Sequence, residues 1–151
     1  MDQRLSIVTL GVTDLKRARE FYEHLGWRGQ EFQETVFFQA GGMVVILWGR
    51  DKLAADAGVP TSEPGSFNGV ALAHNVASID EVKQVCAAAE EAGAVITRPP
   101  AETFYGGFAG YFQDPDGHLW EIAYNPGFAL GDDGSITLPD FSAPPEHSDS
   151  D

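Results

Sequence analysis

The chain repeats a β-α-β-β-β unit, and that duplication constrains its fold more than any local propensity does. The first copy spans residues 4–49. Leu5 to Val12 is apolar and rich in β-formers, a predicted strand. Asp14 is placed to cap a helix whose apolar residues Leu15, Ala18, Tyr22 and Leu25 recur at helical spacing, with Phe21 widening the stripe. Gly26 supplies the stop. Trp27 to Gln33, Thr35 to Ala40 and Met43 to Trp48 read as strands, the last two joined through Gly41-Gly42. The second copy spans residues 68–125. Gly69 to Val76 is a strand, and Ser78 with Glu81 forms a capping box. Ile79, Val82, Cys86 and Ala89 make the next helical stripe, which Gly93 ends. Ala94 to Thr97, Gly107 to Gln113 and His118 to Tyr124 complete the strands. Residues 50–67, with Gly58, Pro60, Pro64 and Gly65, read as a linker.

The copies also align residue by residue. Phe38-Gln39 and Phe112-Gln113 both precede a tight turn, and the offset relating them carries Leu47 to Glu121 without a gap. The second turn is Asp114-Pro115-Asp116-Gly117, with Pro presetting φ and Gly allowing a positive one. Glu121 is then a lone carboxylate in mid-strand, costly unless exposed, paired or bound. Each copy alone leaves one sheet face open. Paired copies give an α+β fold of cupped sheets around a cavity, the concave kind of site small molecules prefer.

Composition excludes several classes. The 151 residues suit one compact domain, which at this length buries about 70% of its unfolded surface. Cys86 is the single cysteine, so no intrachain disulfide can form and a reducing cytoplasm is expected. No apolar run approaches the ~20 residues of a membrane span, and MDQRLSIV is not a signal peptide. The net charge of −14 repels nucleic acid and anionic membranes and mildly attracts cationic small molecules. Residues 127–151 form an acidic tail whose last ten or so residues are expected to be disordered.

The paired units, the segment Gly11-Val12-Thr13-Asp14-Leu15 after the opening strand, and the closing hairpin DPDGHLWE resemble the vicinal oxygen chelate superfamily. That group includes glyoxalase I, extradiol dioxygenases, fosfomycin-resistance enzymes and bleomycin-resistance proteins. The resemblance covers residues 4 to 126. It implies a single glyoxalase-like domain over 1–126, built from modules 4–49 and 68–125, and a homodimer whose cavities form across two chains. It also implies four positions for the ligands of a divalent metal: Ile7 and Ala71 on the first strands, Leu47 and Glu121 on the last. Of these only Glu121 can coordinate. A catalytic metal needs about three protein ligands, and a slip of one residue to Ser6, Val8, Val70, Leu72, Ile46 or Trp48 adds no His or carboxylate. No cofactor is therefore expected.

What remains is a pocket without a metal. Ile7, Thr9 and Gly11 line one wall, Ala71, Ala73 and Asn75 the other, and Leu47 faces Glu121 at the floor. Phe104, Tyr105 and Phe108 flank two glycines at a mouth. Alternation places His74 with the Val residues as a core or rim residue, and His118 after the turn as solvent-facing. His24 and His147 have no partner visible in sequence, and Trp48 and Trp120 read as core packing. Two functions follow: sequestration of a small organic ligand of the bleomycin-resistance kind, or an enzyme of lyase, isomerase or dioxygenase type. The enzyme would use Glu121 as base or an atypical metal site.

Overall fold

The computed structural model describes residues 1–142. The first unit comprises β1 (Ile7–Val12), α1 (Leu15–His24), β2 (Gly29–Phe32), β3 (Thr35–Ala40) and β4 (Met43–Gly49), and α2 (Arg50–Ala57) follows it. The second comprises β5 (Leu72–Asn75), α3 (Ile79–Glu91), β6 (Val95–Glu102), β7 (Phe108–Gln113) and β8 (Leu119–Tyr124). The two four-stranded sheets run β1-β4-β3-β2 and β5-β8-β7-β6. In each, the first strand lies parallel to the last and the others are antiparallel.

The expected caps form. Asp14 accepts from the Arg17 N–H at 3.0 Å, and Ser78 accepts from the Glu81 N–H at 3.1 Å. Glu81 reaches back to the Ala77 N–H at 2.9 Å, one residue beyond the usual capping-box donor. Two elements were not expected. The linker opens with α2, where Ala54 is buried and Gly58 ends the helix at φ +70°. The tail carries a small hairpin of β9 (Ala129–Leu130) and β10 (Ile136–Thr137). The disorder expected for the tail's end concerns residues almost wholly outside the described ones.

One core serves both sheets. Leu10, Phe38, Val45 and Leu47 from the first sheet cluster with Phe112, Trp120 and Ile122 from the second. Helix α1 joins them: the Tyr22 ring lies 5.8 Å from Phe38 and 6.1 Å from Trp120, and Phe21 lies 6.1 Å from Phe112. The opposite face of each sheet is partly open.

Polar contacts tie the Asp-Pro-Asp-Gly turn to α1. Asp114 Oδ2 accepts from the Tyr22 hydroxyl at 2.5 Å, and the Trp120 indole N–H donates to that hydroxyl at 3.1 Å. Asp114 Oδ1 accepts from the backbone N–H groups of Asp116 and His118, both at 2.9 Å. Asp116 Oδ1 accepts from the Thr13 N–H at 2.8 Å and the Thr13 hydroxyl at 3.0 Å, with Arg17 at 3.5 Å. The turn motif is therefore an inter-unit staple as well as a chain reversal.

Burial, then the Asp114 charge, holds the Tyr22 hydroxyl well above its ordinary 10.0. The folded chain keeps a proton that the unfolded chain loses above about pH 10, so stability is full below that pH and falls as pH rises beyond it. Urea titrations on either side of pH ~10 are expected to show this slope, and Tyr22→Phe is expected to flatten it.

Candidate functional site

Strand pairing sorts the expected site residues. On the second sheet, Glu121 pairs with Ala73 on one side and Tyr111 on the other, so these share a face. Asn75 lies two residues beyond Ala73 on that face and is half-buried. Ala71 precedes β5 and is exposed. Tyr111 pairs in turn with Arg98, whose guanidinium sits 6.0 Å from the Tyr111 ring centre. Burial, and then the neighbouring Glu121 carboxylate, push the Tyr111 hydroxyl up. At neutral pH it is thus an uncharged hydroxyl on the strand beside Glu121.

On the first sheet, Ile7 is 54% exposed and Thr9 half-buried. Thr9 pairs with Ile46, which pairs with Phe37. This open face is mainly apolar, with Trp48 at its far end.

Several expectations require correction. Leu47 does not face Glu121. It pairs with Leu10 and Val36, is 0% exposed and belongs to the core. The cause is hairpin length. Phe38 pairs with Val45, whereas Phe112 pairs with Trp120, so the second loop holds one more residue. A shift of one residue exchanges the faces of a strand, and the true counterpart of Glu121 is Ile46. Trp48 is likewise on the open face, half-buried, rather than in the core. Phe108 packs against the core, with Lys83 Nζ 5.6 Å from its ring centre, and is not at a mouth. Phe104 and Tyr105 do remain outside, 102% and 47% exposed. His118 is not solvent-facing: its Nε2 lies 2.8 Å from the Gly11 carbonyl oxygen, bridging the units. His74 is exposed because β5 is a short edge strand.

A cavity of about 600 Å³ lies elsewhere, between β1, α2, the linker and the turn before β8. Thr9 and Gly11 line it; Glu121 does not.

A family model described as Glyoxalase/Bleomycin resistance protein/Dioxygenase superfamily matches residues 4–122. The chain belongs to that superfamily. This glyoxalase-superfamily chain is also similar to a solved glyoxalase-related enzyme from Fulvimarina pelagi. The two are 40% identical over 90% of this chain and 98% of that one, with a TM-score of 0.82. A glyoxalase/bleomycin resistance protein/dioxygenase from Nocardioides is 26% identical over 87% and 91% of the chains, TM-score 0.68. The fosfomycin resistance protein FosX from Mesorhizobium loti shares the fold at 22% identity, 83% and 94% coverage and TM-score 0.62. No curated protein matches the sequence.

The superfamily implies a divalent metal, and the donor set of this glyoxalase-superfamily chain does not fit one. With Ile46 replacing Leu47, the four implied positions are Ile7, Ala71, Ile46 and Glu121, and only the last has an oxygen donor. Among the described residues no three His, Cys, Asp or Glu side chains converge. Among the described residues, too, no helix is long and apolar enough to cross a membrane.

Sequence reasoning missed Tyr111, Arg98 and Arg50. The first was within reach: once the hairpin register is set across Asp114 to Gly117, Tyr111 falls beside Glu121. Arg98 depends on a register irregularity in β6, and Arg50 on the unexpected helix.

Proposed function

We propose that this glyoxalase-superfamily protein binds a small organic ligand on its open sheet faces without the superfamily's metal, as a cytoplasmic homodimer. The observation carrying this is the Glu121–Tyr111 pair, with Arg98 beside Tyr111 and Ala73 and Asn75 on the same face, opposite in character to the apolar face of Ile7, Phe37 and Ile46. Two copies can bring an apolar face of one to the polar face of the other. The occupant is an organic molecule with an aromatic or aliphatic body and a hydrogen-bond donor or positive charge for Glu121. The net charge of −14 favours such a ligand over anionic partners and disfavours nucleic acid and membranes. Cys86, a buried free thiol, accords with a reducing compartment.

Purified protein is expected to carry no stoichiometric metal, and a chelator is expected to leave its Tm unchanged. A thermal-shift screen of aromatic amines should give binders whose affinity falls about tenfold in Glu121→Gln, the usual worth of a charge-assisted hydrogen bond. Stoichiometric metal, or binding indifferent to Glu121→Gln, overturns the reading.

The pairing of Tyr111 with Glu121 on adjacent strands also favours a second reading. Glu121 would act as base on a carbon acid, and Tyr111 as the neutral donor stabilising the resulting anion. Turnover abolished in Glu121→Gln with binding retained selects it.

A further inference from the structure

We propose that Arg98 anchors a carboxylate on the open face of the second sheet, so that the ligand held by Glu121 is a zwitterion: an ammonium at one end, a carboxylate at the other and a one-ring body between. This rests on the Glu121 reading above and adds the ligand's second charge to it.

An interruption of β6 puts Arg98 on that face. Ile96 pairs with Phe112 and packs on the core. Simple alternation would turn Arg98, two residues on, to the same side. Instead the register shifts between them, and Arg98 pairs with Tyr111. One extra residue exchanges the faces of a strand. The guanidinium therefore comes out over the Tyr111 ring, 6.0 Å from its centre. The register shifts again across Pro99-Pro100, after which Ala101 pairs with Ala109. β6 is an edge strand, where prolines are tolerated.

The row across the sheet is then Arg98, Tyr111, Glu121 and Ala73. Arg98 and Glu121 stand two strands apart, about 10 Å between their backbones. They form no ion pair with each other or with any other described residue. Arg98 Nη2 donates to the Glu102 carbonyl oxygen at 3.3 Å, which helps to orient the guanidinium. The Glu102 carboxylate does not compete for it. Glu102 pairs with Phe108, which packs on the core beneath Lys83 of α3, so its side chain lies on the opposite face. Arg98 is exposed, and its remaining N–H groups are open to an incoming molecule.

Charge decides the class of ligand. The guanidinium fork suits a carboxylate, and Glu121 suits an ammonium. A simple anion is repelled by a chain of net charge −14, whereas a zwitterion carries no net charge and meets both groups. Glu121 on the same row also disfavours a doubly charged phosphate.

4-(Aminomethyl)benzoate carries both charges, and benzylamine lacks the carboxylate. Both are titrated by calorimetry into the full chain and into Arg98→Gln, Glu121→Gln and Lys16→Gln. The last removes an equal charge from an exposed site on α1. 4-(Aminomethyl)benzoate should bind at least about tenfold more tightly than benzylamine. Arg98→Gln should remove that advantage and leave benzylamine unchanged. Glu121→Gln should weaken both probes, and Lys16→Gln neither. Equal affinity of the two probes overturns the proposal, as does an advantage that survives Arg98→Gln or is lost equally in Lys16→Gln. If Glu121→Gln still weakens both probes in that event, the Glu121 reading stands. Binding of neither probe, or indifference to Glu121→Gln, overturns the Glu121 reading and the proposal with it.

Discussion

Replacing Asp114 by Ala is expected to destabilise the fold by about 3 kcal/mol or more, and to lower Tm by roughly 10 °C. Asp114 is 4% exposed, and its carboxylate accepts from the Tyr22 hydroxyl and from two backbone N–H groups. Truncation strands all three donors, the Tyr22 hydroxyl and the Asp116 N–H in the buried interior, and each stranded buried donor costs about 1–3 kcal/mol. Burial pushes the Asp114 carboxyl above its usual range, while the Tyr22 hydrogen bond draws it back. The ionised group is thus held at some cost by the contacts it makes. Asp114→Asn keeps one oxygen for the backbone donors but turns an amide N–H toward Tyr22. It is expected to recover part of the loss. Urea unfolding monitored through the Trp residues measures both, and a loss under about 1 kcal/mol for Asp114→Ala would show that the staple carries little.

That staple was legible in sequence only as a turn. Pro115 and Gly117 announce chain reversal, and Gly117 does adopt φ +83°. Nothing in a local window announces that Asp114 reaches Tyr22 or that Asp116 reaches Thr13, because those partners lie in the other unit. The repeat itself was readable because it rests on local chemistry. The stripes through Ala18 and Tyr22, and through Val82, Cys86 and Ala89, are buried as helical spacing requires. Helix α2 was hidden for the opposite reason. Its apolar moment is weak, only Ala54 is buried, and the prolines downstream dominate its segment. With it went Arg50 and one wall of the cavity beside the linker.

The pocket floor was misplaced by a single residue. Alternation placed Ile7, Thr9, Ala73, Asn75 and Glu121 on open faces, since each strand's parity follows from its own hydrophobic pattern. Carrying that parity between the two copies required equal hairpins, and the Asp114 to His118 loop is one residue longer than its counterpart. The donor set stays too poor for a metal after the shift, because Ile46 coordinates no better than Leu47. The pairing of Leu47 with Glu121 across a floor does not outlast it.

The shift has a measurable consequence. Leu47→Ala is expected to cost about 3 kcal/mol, within the 2–5 kcal/mol range for a fully buried leucine truncated among close-packed neighbours. Its neighbours Leu10 and Val36 belong to paired strands and cannot collapse inward without breaking the ladder. Ile46→Ala removes the adjacent side chain, of nearly equal size, from the half-open face. It is expected to cost under about 1 kcal/mol, because less apolar area returns to water and no closed cavity is left. Ligand binding should show the reverse order. Ile46→Ala alters the face that pairs with Thr9 and Phe37, whereas Leu47→Ala leaves that face untouched. Denaturation midpoints and ligand-induced thermal shifts on both variants test the two rankings together. If Leu47→Ala proved benign while weakening ligand binding, the gapless alignment of the two units would be right, and Ile46 would not belong to the open face.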